Sequence, residues 1–236
     1  FALTLLCLLA FAGNSLLCRI ALKQTSIHPM SFVAIRLLSG GLMLWLVLYL
    51  RQRSRNLDGS WFCTLALLIY MMAFTYAYAR VPVCTGALLL CTSVQISMVL
   101  FGLAVGERLS FMQSIGVVLA ISGLVILMLP RVDAPPLFYG FLMIVAGIAW
   151  SAYSLAGRHS QDPVAATAGN FVRAAPIALT LLFLQFQVSL VNVDLAGVPY
   201  AVASGAVTSG LSYILWYILL RELKVIYAAT VQLSVP

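Results

Sequence analysis

Two arginines interrupt stretches that are otherwise apolar: Arg36, seven residues past Pro29, and Arg173, ten residues past Pro163. A guanidinium in hydrocarbon costs a few kcal/mol on insertion scales. Each must therefore face an internal cavity, where it attracts anionic groups or braces a gate, or else snorkel to headgroups or cap a neighbouring helix's carbonyls. A second set is neutral and polar and falls in mid-segment: Asn14 with Ser15, Gln95, Ser151, Asn170 and Gln232. In hydrocarbon such groups bond another helix or a solute. When the two halves of the chain are laid over each other, Asn14 falls opposite Ser151, within a turn of Trp150 and Tyr153. Those rings could line a pocket for an apolar or aromatic solute, or pack as ordinary core. The chemistry on offer is recognition, not bond making, and the candidate residues are Asn14, Arg36, Gln95, Trp150, Ser151, Tyr153, Asn170 and Arg173.

The acidic residues point the same way by their positions. Asp58, Glu107, Asp133, Asp162, Asp194 and Glu222 all lie in or beside loops, so no carboxylate stands mid-segment, where proton or sodium coupling often places one. This favours facilitated diffusion or exchange over proton coupling. Glu107 is expected to pair with Arg108 or to cap the fifth helix. His28 and His159 lie near loops, and neither His-Glu-x-x-His nor Gly-x-Ser-x-Gly occurs, so metalloprotease and serine-hydrolase signatures fail. A Walker A motif is also missing, and the five cysteines fit no zinc spacing. No cofactor and no metal are expected.

The elements that must position these residues are membrane helices. The chain is 63% hydrophobic and 8% charged, with a mean hydropathy of +1.08; soluble domains carry roughly 25% charged residues. Apolar segments are expected at 1–22, 30–50, 60–79, 82–105, 109–129, 137–157, 164–187, 196–220 and 225–236. The complete ones have about 20 residues, the length that crosses roughly 30 Å of hydrocarbon as a helix. Breakers fill the connections: Pro29, Asn56 to Gly59, Pro82, Pro135-Pro136 and Asp162-Pro163. Trp61 and Tyr49, at segment ends, read as interfacial belt residues. Small residues at four-residue spacing (Gly102 with Gly106, Ala165 with Gly169, Gly205 with Ser209) are expected to let helices approach closely.

The segments fall into two sets, residues 1–129 and 137–236, that superpose with Arg36 on Arg173 and Arg80 on Arg221. Five helices is an odd number, so the second set enters from the opposite side, a build known from secondary transporters with the site between the repeats. The 109–129 segment has no partner in the second set, so a tenth helix is expected to be missing from the sequence. No basic n-region or cleavage site marks the first segment as a signal peptide. One family of loops carries Arg51, Arg53, Arg55, Arg108, Arg158, Arg221 and Lys224; the other carries Arg19, Lys23, Arg80 and Arg131. The richer set belongs in the cytoplasm, which starts the first helix there. The net charge of +7 is scattered over both faces and excludes a nucleic-acid stripe.

The order and spacing of several motifs resemble the EamA-type proteins of the drug/metabolite transporter superfamily. In the first half they are Phe11 to Arg19, Pro29 to Gly40, Tyr76 to Leu89 and Gly106 to Leu109. In the second half Asn170 to Arg173 and Tyr227 to Pro236 repeat the theme. The resemblance implies an all-α polytopic fold of ten helices in two inverted five-helix repeats, here about nine, with both termini cytoplasmic. It also implies transport of a small metabolite, amino-acid-like or drug-like solute, often outward, across a bacterial inner membrane. Gln95 departs from the pattern, since its repeat mate is Pro236. The partners expected are a small-molecule solute and membrane lipids, not nucleic acid, and a homodimer is compatible with this reading. The alternative is a polytopic membrane enzyme or sensor without transport. It would need catalytic polar residues clustered at one membrane face, and the sequence offers none. A structural or chaperone-like membrane subunit is a third reading.

Overall fold

The computed structural model describes residues 2–51, 57–108, 110–128, 136–188, 192–223 and 225–232. Helices α1 (Ala2–Gln24), α2 (Pro29–Leu50), α3 (Trp61–Tyr78), α4 (Val83–Ala104) and α5 (Phe111–Met128) make up the first half. Helices α6 (Leu137–Gly157), α7 (Pro163–Val188), α8 (Val198–Glu222) and α9 (Val225–Gln232) make up the second. No strand occurs among the described residues. Seven of these helices (α1 to α4 and α6 to α8) are long and apolar enough to cross a membrane. Each runs within a few residues of the segment expected from the sequence; Phe1, Leu109, Leu129 and residues 233–236, at the expected segment ends, lie outside the described residues.

Local chemistry sets the helix starts. Pro29 opens α2 and leaves no N–H to satisfy, while the His28 Nδ1 accepts the Met30 N–H at 3.2 Å. Ser60 caps α3 through the Cys63 N–H at 3.1 Å. Asp162 caps α7 through the Val164 N–H at 3.0 Å. Ahead of α5, Ser110 and Gln113 exchange bonds, with the Ser110 N–H on Gln113 Oε1 at 2.8 Å and the Gln113 N–H on Ser110 Oγ at 3.3 Å. This is the reciprocal box that satisfies two orphan donors. The Glu107 carboxylate accepts the Val225 N–H at 3.2 Å and so serves the start of α9. Gly106 is no packing residue. Its φ of +89° turns the chain after α4, and an added Cβ there would meet nothing within 4 Å among the described residues.

The packing interleaves the two halves. Helix α3 lies on α6 and α7, α2 on α7 and α8, α4 on α6 and α9, and α1 on α8. The outward faces are apolar: Leu42, Trp45, Phe111 and Phe183 are all more than half exposed, as side chains facing acyl chains are. Trp61 and Tyr49 are likewise exposed at helix ends. Helix α8 is not regular throughout, because Ala206–Leu211 winds as a π-helix between two α-helical parts. Such turns are rare and gather at functional sites.

Candidate functional site

Where α1, α3, α4, α6 and α9 meet, side chains from both halves of the chain enclose a small cavity of about 30 Å³, the space of roughly one water molecule. Phe11 and Asn14 come from α1, Tyr70 and Phe74 from α3, Trp150 from α6 and Gln232 from α9. The rings form a continuous aromatic cluster. Trp150 lies 5.0 Å from Tyr70, 5.4 Å from Phe11 and 4.7 Å from Tyr213, centroid to centroid. Its indole N–H donates to Gln232 Oε1 at 2.8 Å. Asn14 accepts the Ser204 hydroxyl at 2.8 Å and the Thr208 hydroxyl at 3.3 Å, tying α1 to α8.

Arg36 lies behind this cavity and is 0% exposed. Its Nε donates to Ser209 Oγ and its Nη2 to the Tyr213 hydroxyl, both at 3.0 Å. The guanidinium carbon sits 5.4 Å from the Phe74 ring centroid and 5.8 Å from that of Tyr70, within cation–π range. Close backbone approach makes this reach possible. A Cβ on Gly205 would strike the Ser39 hydroxyl and the Arg36 carbonyl, so α8 can lie against α2 at the level of Arg36 only with glycine there. The π turn then presents Ser209 and, one turn on, Tyr213 to the guanidinium. Arg36 Nη1 has no hydrogen-bond partner among the described residues.

Of the residues expected along a solute path, Asn14 and Trp150 line the cavity, and Arg36 stands one aromatic layer behind it. Tyr153 is buried next to Trp150, 5.7 Å away, and stacks on Tyr217 at 5.2 Å. Gln95 is buried on α4, and its Oε1 has no partner among the described residues. Ser151 is engaged in helix packing: its hydroxyl reaches the Gly147 carbonyl at 2.9 Å and the Val94 carbonyl at 3.3 Å. The structure does not bring Asn170 and Arg173 to the cavity. Asn170 Oδ1 accepts the Ser60 N–H at 3.2 Å, and Arg173 Nη1 donates to the Asp58 carbonyl at 2.9 Å. Both hold the segment that leads into α3. The two arginines matched by sequence thus have different surroundings: one is sealed among rings, the other bound to a loop carbonyl.

Sequence reasoning missed Phe11, Tyr70, Phe74, Ser209 and Tyr213. Tyr70, Phe74 and Tyr78 recur at four-residue spacing, which puts them on one helix face, and that periodicity was the available signal. It also counted Arg19 and Arg158 among loop charges. Arg19 lies within α1 and donates to the Tyr78 carbonyl at 2.6 Å. Arg158, at the end of α6, donates to the carbonyls of Leu220 at 3.1 Å and Leu223 at 2.8 Å. Each cation covers carbonyls left open at a helix C-terminus, where the dipole favours it.

The sequence profile of the EamA-like transporter family matches residues 1–129. The chain belongs to the EamA-like transporter family. An uncharacterized protein of Pseudomonas aeruginosa (strain PAO1) is 50% identical over 235 residues, covering 99% of this chain and 81% of the relative. A protein solved by crystallography superposes with a TM-score of 0.73 at 17% identity, covering 100% of this chain and 85% of its own. That likeness concerns the fold alone. The EamA-like chain is an integral membrane protein of several spans, and its family is one of transporters.

Proposed function

We propose that this EamA-like protein moves a small solute across the membrane by alternating access, with the aromatic cavity as the central site. The observation that carries the reading is the cavity's double parentage: α1, α3 and α4 supply one side, α6 and α9 the other. A solute held there would touch both halves, so rocking one against the other would expose it to one face and then the other. The halves are read as inverted repeats, 1–129 and 137–236. Two pairs of contacts support this, since α1 on α8 is matched by α6 on α3, and α2 on α8 by α7 on α3. The helix-end arginines support it further: Arg19 on α1 caps α3, and Arg158 on α6 caps α8. With α1 starting in the cytoplasm, as the loop charges favour, the protein would sit in a bacterial inner membrane and export its solute.

A wide cleft of about 1040 Å³ opens at the end of the bundle that carries Arg51 and Asp162, lined by Leu6, Ala10, Leu211 and Leu215. An open cleft at one face and a closed centre suit one state of such a cycle. The test is solute counterflow in proteoliposomes with a metabolite panel, for the wild type and Trp150→Ala. Flux above empty liposomes that drops at least tenfold in the variant is expected. If no solute moves faster than in empty vesicles, or the variant matches the wild type, the reading fails. Orientation is tested by labelling Ser54→Cys, which should react only from the cytoplasmic side.

A further inference from the structure

The central site holds a positive charge with no negative group beside it among the described residues. Arg36 remains protonated in any protein environment, and it is fully buried. Its hydrogen-bond partners, Ser209 and Tyr213, are neutral, as are the rings of Tyr70 and Phe74 against its face. Among the described residues no carboxylate comes near it. Asp58, Glu107, Asp162, Asp194 and Glu222 stand at helix ends or in loops, where Asp162 pairs with Arg51, Asp194 accepts the Ser26 N–H and Glu107 the Val225 N–H. Buried charges in proteins are ordinarily paired. The guanidinium also keeps its Nη1 amino group, with two N–H donors, without a partner among the described residues, although two hydrogen bonds already fix its orientation. The side chain is thus held in place with its charge uncompensated and a donor to spare.

Resting on the transport reading above, the geometry points to Arg36 as the anchor for an acidic group on the solute, and to small monocarboxylates with an apolar or aromatic body as the substrate class. The charge count selects a monoanion: one cation in a dry site balances one negative charge, and a phosphate dianion would leave one charge exposed to the rings. The unpartnered Nη1 amino group can donate to a carboxylate oxygen. Tyr70 and Phe74 line the cavity on one side and face the guanidinium on the other, so a shift of the Tyr70 side chain would join the two. In a state where the two halves part and widen this water-sized cavity, the body of the solute lies against Phe11 and Trp150, surfaces that recognise rings and alkyl chains but no charge.

The test uses the purified chain in lipid nanodiscs with 3-phenylpropionate as probe and its amide as the neutral isostere, read by tryptophan fluorescence. The wild type should bind the acid at least tenfold more tightly than the amide. Arg36→Met should lose that preference, and Arg36→Lys, which keeps the charge, should retain most of it. Equal affinity for acid and amide in the wild type overturns the assignment, as does a preference that survives in Arg36→Met. If Arg36→Met does not fold, the wild-type pair and Arg36→Lys decide alone: a lysine variant without preference for the acid also overturns it. Counterflow with the same two probes separates this inference from the transport reading. Flux without acid preference refutes only the anion anchor; acid-selective binding without flux of any solute refutes only transport.

Discussion

Gly169→Ala should be among the most damaging single-methyl changes in this protein. Gly169 faces the segment that leads into α3, and a Cβ there would fall on the Asp58 carbonyl oxygen. Because the obstacle is backbone, no rotamer change relieves it. The 57–60 segment has to withdraw, and three bonds go with it: the Asp58 N–H to the Ala165 carbonyl at 3.2 Å, the Ser60 N–H to Asn170 at 3.2 Å, and Arg173 to the Asp58 carbonyl at 2.9 Å. Overpacking by one methyl costs about 1–3 kcal/mol, and each partly buried hydrogen bond adds about 0.5–1.5 kcal/mol. With the exposed Arg173 bond discounted, the loss is about 3 kcal/mol. At roughly 2–4 °C per kcal/mol for a chain of this size, the thermal midpoint falls by roughly 6–12 °C. The assay is thermal unfolding of the purified protein in detergent, with Gly116→Ala as control. A Cβ on Gly116 meets nothing within 4 Å among the described residues, and alanine is the better helix former by up to about 1 kcal/mol, so that midpoint should hold or rise. A Gly169→Ala midpoint within about 2 °C of the wild type would refute the close approach of α7 to the start of α3.

Three further outcomes are expected. Arg158→Met uncovers two carbonyls and should cost about 2–4 kcal/mol, against about 2 kcal/mol for Arg19→Met, which uncovers one; thermal unfolding of both variants checks the order, and two silent variants would refute the capping role. Burial lowers the His28 pKa, and protonation of Nδ1 removes the cap on Met30, so stability is full at neutral pH and is lost as pH falls from about 6.5 through the folded-state value. In His28→Asn, which caps without titrating and keeps Gln185 and Tyr76 as neighbours, the melting profile should lose that acid limb; identical profiles would show the cap is not the cause. Gln232→Leu orphans the Trp150 indole N–H at about 1–3 kcal/mol, and a double-mutant cycle with Trp150→Phe should return a coupling of about 1 kcal/mol or more, whereas strict additivity would deny the bond.

The helices were legible because apolar runs near 20 residues, broken by Pro29, Pro82, Pro136 and Pro163, admit little else. Arg36 was legible for a related reason: a charge inside such a run has to be accommodated by something specific. What accommodates it was not. Ser209 and Tyr213 lie on a segment without charges until Arg221, and nothing in Ala206–Leu211 announces a π turn. The match between Arg36 and Arg173 suggested similar roles, but a pattern along the chain does not carry depth. The α3 start reaches far enough along α7 to meet Asn170 and Arg173 with backbone groups, so what reads as mid-segment is a loop-binding site. Arg19 and Arg158 misled in the other direction. Their places near segment ends suggested solvent, while open carbonyls at the ends of α3 and α8 supplied better partners.

The π turn in α8 amounts to one residue more than an α-helix would use over the same rise. Winding the same residues as a regular α-helix through Ala206–Leu211 would turn everything downstream by about 100°. Ser204 would still meet Asn14, but Tyr213 would swing away from Arg36, and Trp216 from the Ser154 hydroxyl that it now reaches at 3.0 Å. The wide turn therefore absorbs the surplus residue and keeps the phase between the two ends of α8, one end keyed to α1 and the other to α2 and α6. A chain of this fold that kept the residue but wound it into a regular helix would need a different set of side chains to surround its buried cation.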